Sequence, residues 1–177
     1  MATDVKNRIA EVFEAQAKAV GLDKVTVGAI VAECHISRQA FYYYYQDVVD
    51  VARYVLKEKL TMVWSDGEEA ETPRKAVRIF ARQLVEQFPI IAIAMNSKFR
   101  VEMELLLIKE LQEFFRVVLI RQNCGKDLTV KQIGFQSDLL ACGIAGYALE
   151  HCNEPAFDAE EFADQLWDML KRSYGEL

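Results

Sequence analysis

The segment SRQAFYYYYQD, which begins at residue 37, concentrates the side chains best suited to bind another molecule. If the segment is helical, successive residues turn by about 100° around the axis, so its four tyrosines cannot all face one core. Phe41 and Tyr45 are four residues apart and share a face, so we expect both to pack inward. The other three phenols, at positions 42 to 44, then point outward or sideways.

These outward phenols have a chemistry that suits nucleic acid. Each combines a flat apolar ring with a hydroxyl donor, and Ser37, Arg38 and Gln39 add further polar groups at the start of the same helix. Such a surface fits phosphate oxygens and the base edges of a major groove. The alternative is that aromatic residues on a short helix are simply core.

The chain contains no residue pattern typical of catalysis or metal binding. It has two histidines, no Ser-His-Asp set and no glycine-rich phosphate loop. His35 follows Cys34 and His151 precedes Cys152, but neighbouring helical residues point about 100° apart and no set of four ligands is visible. We therefore expect no enzyme activity, no cofactor and no metal site. The four cysteines, at positions 34, 124, 142 and 152, are scattered, so we expect them to be reduced.

Composition indicates a globular protein with an acidic balance. The 177 residues are 52% apolar and carry a net charge of −6, which is unfavourable for a DNA-binding protein because Lys and Arg neutralise phosphates. Residues 1 to 47 carry a net charge of −1, from five basic and six acidic residues. No apolar run is long enough for a membrane span, and charged residues near the N-terminus exclude a secretion signal. We expect a cytoplasmic location and no membrane partner.

The spacing of apolar residues predicts an all-α protein of about nine helices. Gly21 should end the first helix, while Thr26 and Ser37 should cap two short helices separated by a tight turn. Asp47 should cap a longer helix that runs to about Trp64, and the acidic stretch at 67–71 should form a flexible joint after it. Thr129 with Gln132 fits a capping box at the start of a later helix. We therefore predict a three-helix DNA-binding domain at 1–47, joined to a helical domain for ligand binding and dimerisation at 48–177.

The segment TVGAIVAECHISRQAFYYYYQD resembles the helix-turn-helix of the TetR/AcrR-type bacterial transcription regulators. The matched positions are Thr26, Val27, Ile30, Cys34, Ile36, Ser37, Phe41, Tyr42 and Tyr44. Three positions depart from the family pattern, and one of them, Val31 in place of a small alanine, affects only packing. His35 stands where the family has a turn glycine with positive φ, and Val48 stands where the family often has a phosphate-binding lysine. These departures predict weaker DNA binding than is usual in the family.

The resemblance implies a role for each residue of the motif. The predicted DNA-binding residues are Thr26, Ser37, Arg38, Gln39, Tyr42, Tyr43 and Tyr44. Of these, the resemblance assigns phosphate contacts to Thr26, Tyr42 and Tyr44, and base contacts to Arg38, Gln39 and Tyr43. Double-stranded DNA is the implied partner, bound through the second short helix in the major groove.

Two surfaces of the larger domain are predicted with alternatives. A dimer face on the last two helices comprises Gly143, Gly146, Tyr147, Phe162, Leu166, Met169 and Leu170, and the alternative is packing within one chain. A pocket for an unknown small-molecule effector comprises Phe80, Leu84, Phe88, Ile91, Met95, Phe99, Met103 and Leu106, and the alternative is that these residues are only core.

These features together predict a homodimeric TetR-like transcription regulator. The predicted mode is repression that is released when a small molecule binds. The alternative is an interaction protein of the same fold that acts through a partner protein, with weak or lost DNA binding. Val48, His35 and the low positive charge favour that alternative.

Overall fold

A computed structural model describes residues 2–68, 70–121 and 128–174, and within these ranges the chain is helical without strands. The helices are α1 (Ala2–Val20), α2 (Val27–Cys34), α3 (Arg38–Tyr44), α4 (Val48–Glu68), α5 (Pro73–Glu86), α6 (Phe88–Met95), α7 (Arg100–Arg121), α8 (Val130–His151) and α9 (Ala159–Tyr174). A short 3-10 turn at Leu22–Lys24 follows α1. The predicted all-α fold of about nine helices is confirmed. In the described part, no helix is both long and apolar enough to span a bilayer.

Side-chain caps define where several helices begin. The hydroxyl of Thr26 accepts a hydrogen bond from the Ala29 N–H, and the Ser37 hydroxyl accepts one from the Ala40 N–H, both at 3.1 Å. Asp47 caps α4 by accepting from the Asp50 N–H at 2.8 Å. Thr129 forms a reciprocal capping box with Gln132 at the start of α8. Each of these caps was predicted from the sequence.

The end of α4 differs from the prediction. The helix continues past Trp64 to Glu68, because one glycine inside a helix costs only about 1 kcal/mol and does not by itself break it. The joint expected at 67–71 therefore begins within α4, and residue 69 of that stretch lies outside the described residues. The cysteine at position 124 also lies outside them, whereas Cys34 and Cys152 are buried and Cys142 is exposed, all three as free thiols.

One connected apolar core joins the first three helices to the rest of the chain. Helix α4 passes through its centre, and Val51, Val55, Leu56 and Leu60 are all buried along it. Helices α1, α5 and α7 pack against α4, while α8 packs on α7 and α9 packs on α5. The orientation of helices α1 to α3, called the head below, is therefore set mainly by packing against α4.

Candidate nucleic-acid interface

The turn between α2 and α3 is held by His35 in a left-handed conformation, with φ 54° and ψ 43°. It is the one non-glycine residue with positive φ in the described part of the chain. Its N–H donates to the Ala32 carbonyl, and the Ile36 N–H donates to the Val31 carbonyl, so the end of α2 is closed by main-chain hydrogen bonds. A histidine tolerates this region better than most residues, so the tight turn forms without glycine.

Helix α3 divides its aromatic residues between the core and the solvent. Phe41 is 0% exposed and Tyr45 is 3% exposed, whereas Tyr42 is 54% and Tyr43 is 80% exposed. Tyr44 is partly buried, and its ring meets that of Tyr43 edge-on at 4.9 Å between centroids. This arrangement agrees with the orientation that the helical step predicts for the tyrosine run.

Tyr45 anchors the end of α3 to α1 and α4. Its hydroxyl donates to the Lys6 carbonyl at 3.3 Å, and its ring packs edge-on against Tyr54 of α4 with centroids 5.6 Å apart. Burial raises the pKa of this phenol well above its ordinary value, so it stays a neutral donor. The Lys6 ammonium lies 3.9 Å from the centre of the Tyr54 ring, a cation–π contact on the same corner. These contacts hold the exposed face of α3 in a fixed position.

The start of α3 presents polar groups next to the start of α2. Ser37, Arg38 and Gln39 are all exposed, and so is Thr26 at the N-cap of α2. The guanidinium of Arg38 lies close to the start of α2. Its Nη2 atom is 3.6 Å from the position that a Cβ on Gly28 would occupy. The same Cβ position lies 3.8 Å from the Thr26 hydroxyl oxygen. Arg38 and Thr26 are therefore brought together on one surface, which is suited to bind a phosphate group.

The electrostatics around this surface are mixed. Val48, in the position of the family's lysine, is partly buried and packs against the core. Nearby, Asp50 accepts a hydrogen bond from the Gln46 N–H at 3.0 Å and lies 3.8 Å from the Arg53 guanidinium. Acidic groups next to α3 are thus engaged in local contacts. The candidate interface consists of α3 and the start of α2 and offers few positive charges for phosphate binding.

A groove of about 550 Å³ separates the exposed faces of α8 and α9. Its lining residues are Gln136, Leu139, Leu140, Gly143, Ile144, Tyr147, Phe162, Gln165, Leu166 and Met169. Five predicted dimer-face residues line it: Gly143, Tyr147, Phe162, Leu166 and Met169. Tyr147 stacks on Phe162 with centroids 5.1 Å apart and forms part of the wall.

The other two residues of the predicted dimer face do not line this groove. A Cβ built on Gly146 would meet nothing within 4 Å, and Leu170 is buried. Sequence reasoning missed five of the residues that line the groove: Gln136, Leu139, Leu140, Ile144 and Gln165. Those on α8 lie along the same helical face as Gly143, so extending that stripe toward the N-terminus of α8 would have found most of them.

The predicted effector-pocket residues lie mainly in the core. Phe80, Leu84, Phe88, Ile91 and Met103 are buried, and Met95, Phe99 and Leu106 pack against the same cluster. The Phe80 ring stacks on that of Phe114 at 5.0 Å and 9°. An effector pocket among these residues remains a prediction. A void of about 20 Å³ lies at the neighbouring junction of α1, α4 and α6. Met103 is the predicted pocket residue that lines this void, and Ile90 and Ala94 of α6, which were not predicted, line it as well.

Solved structures with the same arrangement of helices are transcription regulators. The dihydroxyacetone kinase operon activator DhaS superposes with a TM-score of 0.75 at 16% identity and 96% coverage of both chains. A TetR-family regulator from Syntrophomonas wolfei has a TM-score of 0.73 at 14% identity, covering 100% of this chain and 98% of its own. This chain has the TetR fold.

Another structure with the TetR fold is the TetR family repressor AlkX from a Dietzia strain, which is implicated in n-alkane biodegradation. It has a TM-score of 0.66 at 17% identity, covering 96% of this chain and 94% of its own. No protein-family model matches the sequence, and no curated protein matches it. The relationship is therefore visible in the arrangement of the helices, with the residues of α2 and α3 carrying the sequence resemblance.

Proposed function

We propose that this chain is a DNA-binding transcription regulator that inserts α3 into the major groove. The observation that carries the proposal is the division of α3 into a buried side and a solvent side. The buried side fixes the helix through Phe41 and Tyr45, while Tyr42 and Tyr43 are exposed beside Arg38. If α3 served only to pack the core, other parts of the chain would cover those two rings. In this proposal residues 1–47 form the DNA-binding domain, and the protein resides in the cytoplasm with the DNA.

Each side chain at the interface has a proposed role. Thr26, Tyr42 and Tyr44 contact phosphates through their hydroxyls, and Ser37 helps to position the start of α3. Gln39 and Tyr43 face the base edges. Arg38 is proposed as a base reader, but its guanidinium lies beside Thr26, where it can also reach a phosphate. The salt dependence of binding separates these two roles.

The first experiment selects binding sites from random double-stranded DNA and measures affinity by fluorescence anisotropy at several salt concentrations. Arg38→Ala should weaken binding about 10-fold, since a specific contact contributes about 1–3 kcal/mol. If Arg38 binds phosphate, the weakening is uniform across sequences and the salt slope of the variant is smaller by about 1. If Arg38 reads a base, specificity at one position relaxes instead.

Two further variants complete this experiment. Tyr42→Phe should weaken binding by removing only a hydroxyl. The matched control is Arg116→Ala, which removes an exposed arginine from α7, outside the head, and should leave affinity unchanged. If the wild type binds no selected sequence even at low salt, the proposal is wrong. The protein-partner function, which Val48 and the small number of basic residues favour, would then replace it.

We further propose that the regulator is a homodimer, with residues 48–177 forming the dimerisation and ligand-binding domain. One helix-turn-helix buries too little surface for tight specific binding, and two copies reach half-sites about 34 Å apart. The uncharged groove between α8 and α9, lined in part by the exposed side chains of Leu139 and Met169, is the proposed contact. Light scattering should give about twice 20.3 kDa, and a monomer at micromolar concentration would contradict the dimer.

Two glycines of α8 give further support to the dimer. A Cβ built on Gly143 or on Gly146 would meet nothing within 4 Å. Glycine inside a helix costs about 1 kcal/mol relative to alanine, and packing within this chain does not require it at either site. A second helix approaching closely from another copy would explain the small residues.

The proposed mode of regulation is repression released by an apolar small molecule. The effector would bind among Phe80, Leu84, Met103 and their neighbours and move α4, which would change the separation of the two heads. Because the coupling is reciprocal, DNA should weaken effector binding by the same factor. The names of the structural neighbours include both an activator and a repressor, so a promoter-reporter assay in a strain lacking the gene is the direct test of the sign.

A further inference from the structure

Gly28, the second residue of α2, lies directly beside the guanidinium of Arg38. A Cβ on Gly28 would be 3.6 Å from the Arg38 Nη2 atom and 3.8 Å from the Thr26 hydroxyl oxygen. Both are ordinary van der Waals distances, so a single methyl group would touch these atoms and a larger side chain would overlap with them. The space in which Arg38 lies is therefore open because residue 28 has no side chain.

The side chain that Gly28 lacks would extend over the start of α2. In a helix each Cα–Cβ bond tilts toward the N-terminus, so a side chain at position 28 would point toward Thr26, the N-cap. Arg38 is the first residue of α3 and comes to the same place from the other side of the tight turn. The guanidinium thus takes the position that a side chain of α2 would otherwise fill.

The surroundings of this guanidinium are positive and contain no acidic partner. Neither α2 nor α3 has an acidic residue in its first turn. Within the described part of the chain, Arg38 makes no hydrogen bond or ion pair. The N–H groups of Val27 and Gly28 have no acceptor inside the helix, because they belong to its first turn. These donors and the positive end of the helix dipole favour the same kind of ligand as Arg38, which is an anion.

We propose that Gly28 positions Arg38 to bind the same DNA phosphate as the Thr26 hydroxyl. That hydroxyl accepts a hydrogen bond from the Ala29 N–H at 3.1 Å, so its own hydrogen is free to be donated to a phosphate oxygen. The inference rests on the proposed DNA-binding function and deepens it, because it selects one of the two roles open to Arg38. It also gives the interface a positive charge at the start of α2, whereas Val48 provides none at the start of α4.

The alternative is that residue 28 has no influence on Arg38, which then extends away from α2 to read a base. In that case a larger side chain at position 28 either leaves DNA binding unchanged or obstructs the DNA directly, and both effects are independent of Arg38. If Gly28 acts through Arg38, the same change matters only while the arginine is present. Gly28→Val is the discriminating variant, because valine adds two further carbon atoms directly at Cβ. Gly28→Ala is the matched control, because its Cβ only touches the guanidinium.

The test measures affinity by fluorescence anisotropy at several salt concentrations, on the DNA sequence that the wild type selects and on a shuffled sequence. Gly28→Val should weaken binding about 10-fold, as expected for Arg38→Ala, and should make the salt slope smaller by about 1. The weakening should be equal on both sequences, because a phosphate contact carries no sequence information. The double variant should bind no more weakly than Arg38→Ala alone, and Gly28→Ala should bind like the wild type.

The outcomes separate this inference from the proposed function. If the wild type binds no DNA, the function is wrong and the inference fails with it. If the wild type binds and Gly28→Val binds equally well, DNA binding stands and the positioning role is refuted. If Gly28→Val weakens binding by the same factor with and without Arg38, residue 28 does not act through the arginine and the inference is again refuted. A loss confined to the selected sequence would make Arg38 a base reader and refute the shared phosphate.

Far-ultraviolet circular dichroism checks that each variant keeps its helices. Should Gly28→Val fail to fold, Gly28→Leu takes its place, because leucine favours helix strongly and is also larger than the available space. Its affinity, with and without Arg38, is interpreted in the same way.

Discussion

The turn between α1 and α2 depends on the backbone conformation of Gly21, and replacing this residue with alanine tests how much that conformation costs. Gly21 has φ 85° and ψ 149°, a region that is essentially restricted to glycine. Its N–H donates to the Ala17 carbonyl at 2.9 Å and its carbonyl accepts from the Lys24 N–H at 3.2 Å, so the surrounding structure fixes this conformation. An added Cβ would meet nothing within 4 Å, and the whole penalty therefore comes from the backbone.

The expected magnitude follows from two opposing terms. A non-glycine residue in this backbone region destabilises the folded state by about 1–3 kcal/mol. Alanine also restricts the unfolded chain, which offsets this by about 0.4–1 kcal/mol. We expect Gly21→Ala to lower the free energy of unfolding by about 1–2 kcal/mol. The matched control is Gly134→Ala in α8, where the backbone is helical and the space is also empty. Alanine there should raise stability by about 0.4–1 kcal/mol.

The assay is urea denaturation followed by far-ultraviolet circular dichroism, which reports helix content. All proteins must be compared at one concentration, because dimerisation would contribute to the measured stability. If Gly21→Ala is as stable as the wild type while Gly134→Ala is stabilised, the turn relaxes without cost and the strain argument is refuted.

Two further substitutions test the contacts that hold the head. Burial alone would raise the pKa of Glu14, but hydrogen bonds and charges from Lys18 at 2.7 Å and Lys59 at 3.1 Å outweigh it, so the pKa of this carboxyl is lowered. The stabilising contribution of the Glu14 carboxylate is present above the pKa of this group in the unfolded chain and is lost as pH falls through its lowered pKa in the folded protein. Glu14→Gln should therefore lower the free energy of unfolding at pH 7, and urea titrations should show the difference from the wild type narrowing as pH falls below the ordinary glutamate pKa. Tyr45→Phe should cost about 1 kcal/mol by removing a hydrogen bond to a main-chain carbonyl, whereas Tyr43→Phe on the exposed side should change stability by less than about 0.5 kcal/mol.

Local features of the head could be predicted from sequence because neighbouring residues determine them. The caps at Thr26 and Ser37 each bond to a main-chain N–H three residues away, so the residue type and the start of the helical pattern suffice. The outward direction of Tyr42 and Tyr43 follows from the helical step once Phe41 is assigned to the core. His35 could be placed in the turn because the resemblance fixes the register of the motif.

Features that depend on the placement of distant helices could not be predicted in this way. Gln136 reads as an ordinary surface residue of α8, and only the fold around it buries its side-chain oxygen. Apolar residues such as Phe80 and Leu84 are compatible with either a pocket or a packed core, because periodicity reports which face is buried and not whether the space between faces is filled. The end of α4 was missed because a glycine permits a helix stop without requiring one.

The contacts of α4 determine how a change in the larger domain would reach the head. Ion pairs join α4 to α7 through Arg53 and Glu102 and to α1 through Lys59 and Glu14. The pair of Arg53 with Glu102 is exposed, and such pairs contribute only about 0–1 kcal/mol. The buried side chains along α4 contribute more, since a fully buried aliphatic side chain is worth about 1.5–3 kcal/mol. When α4 moves, the head should therefore move with it, because the buried contacts between them would otherwise have to break. The exposed pair of Arg53 and Glu102 can exchange partners at little cost. Under the proposed mechanism, an effector acts by changing the packing of α5 and α7 against α4, and the two copies of α3 follow.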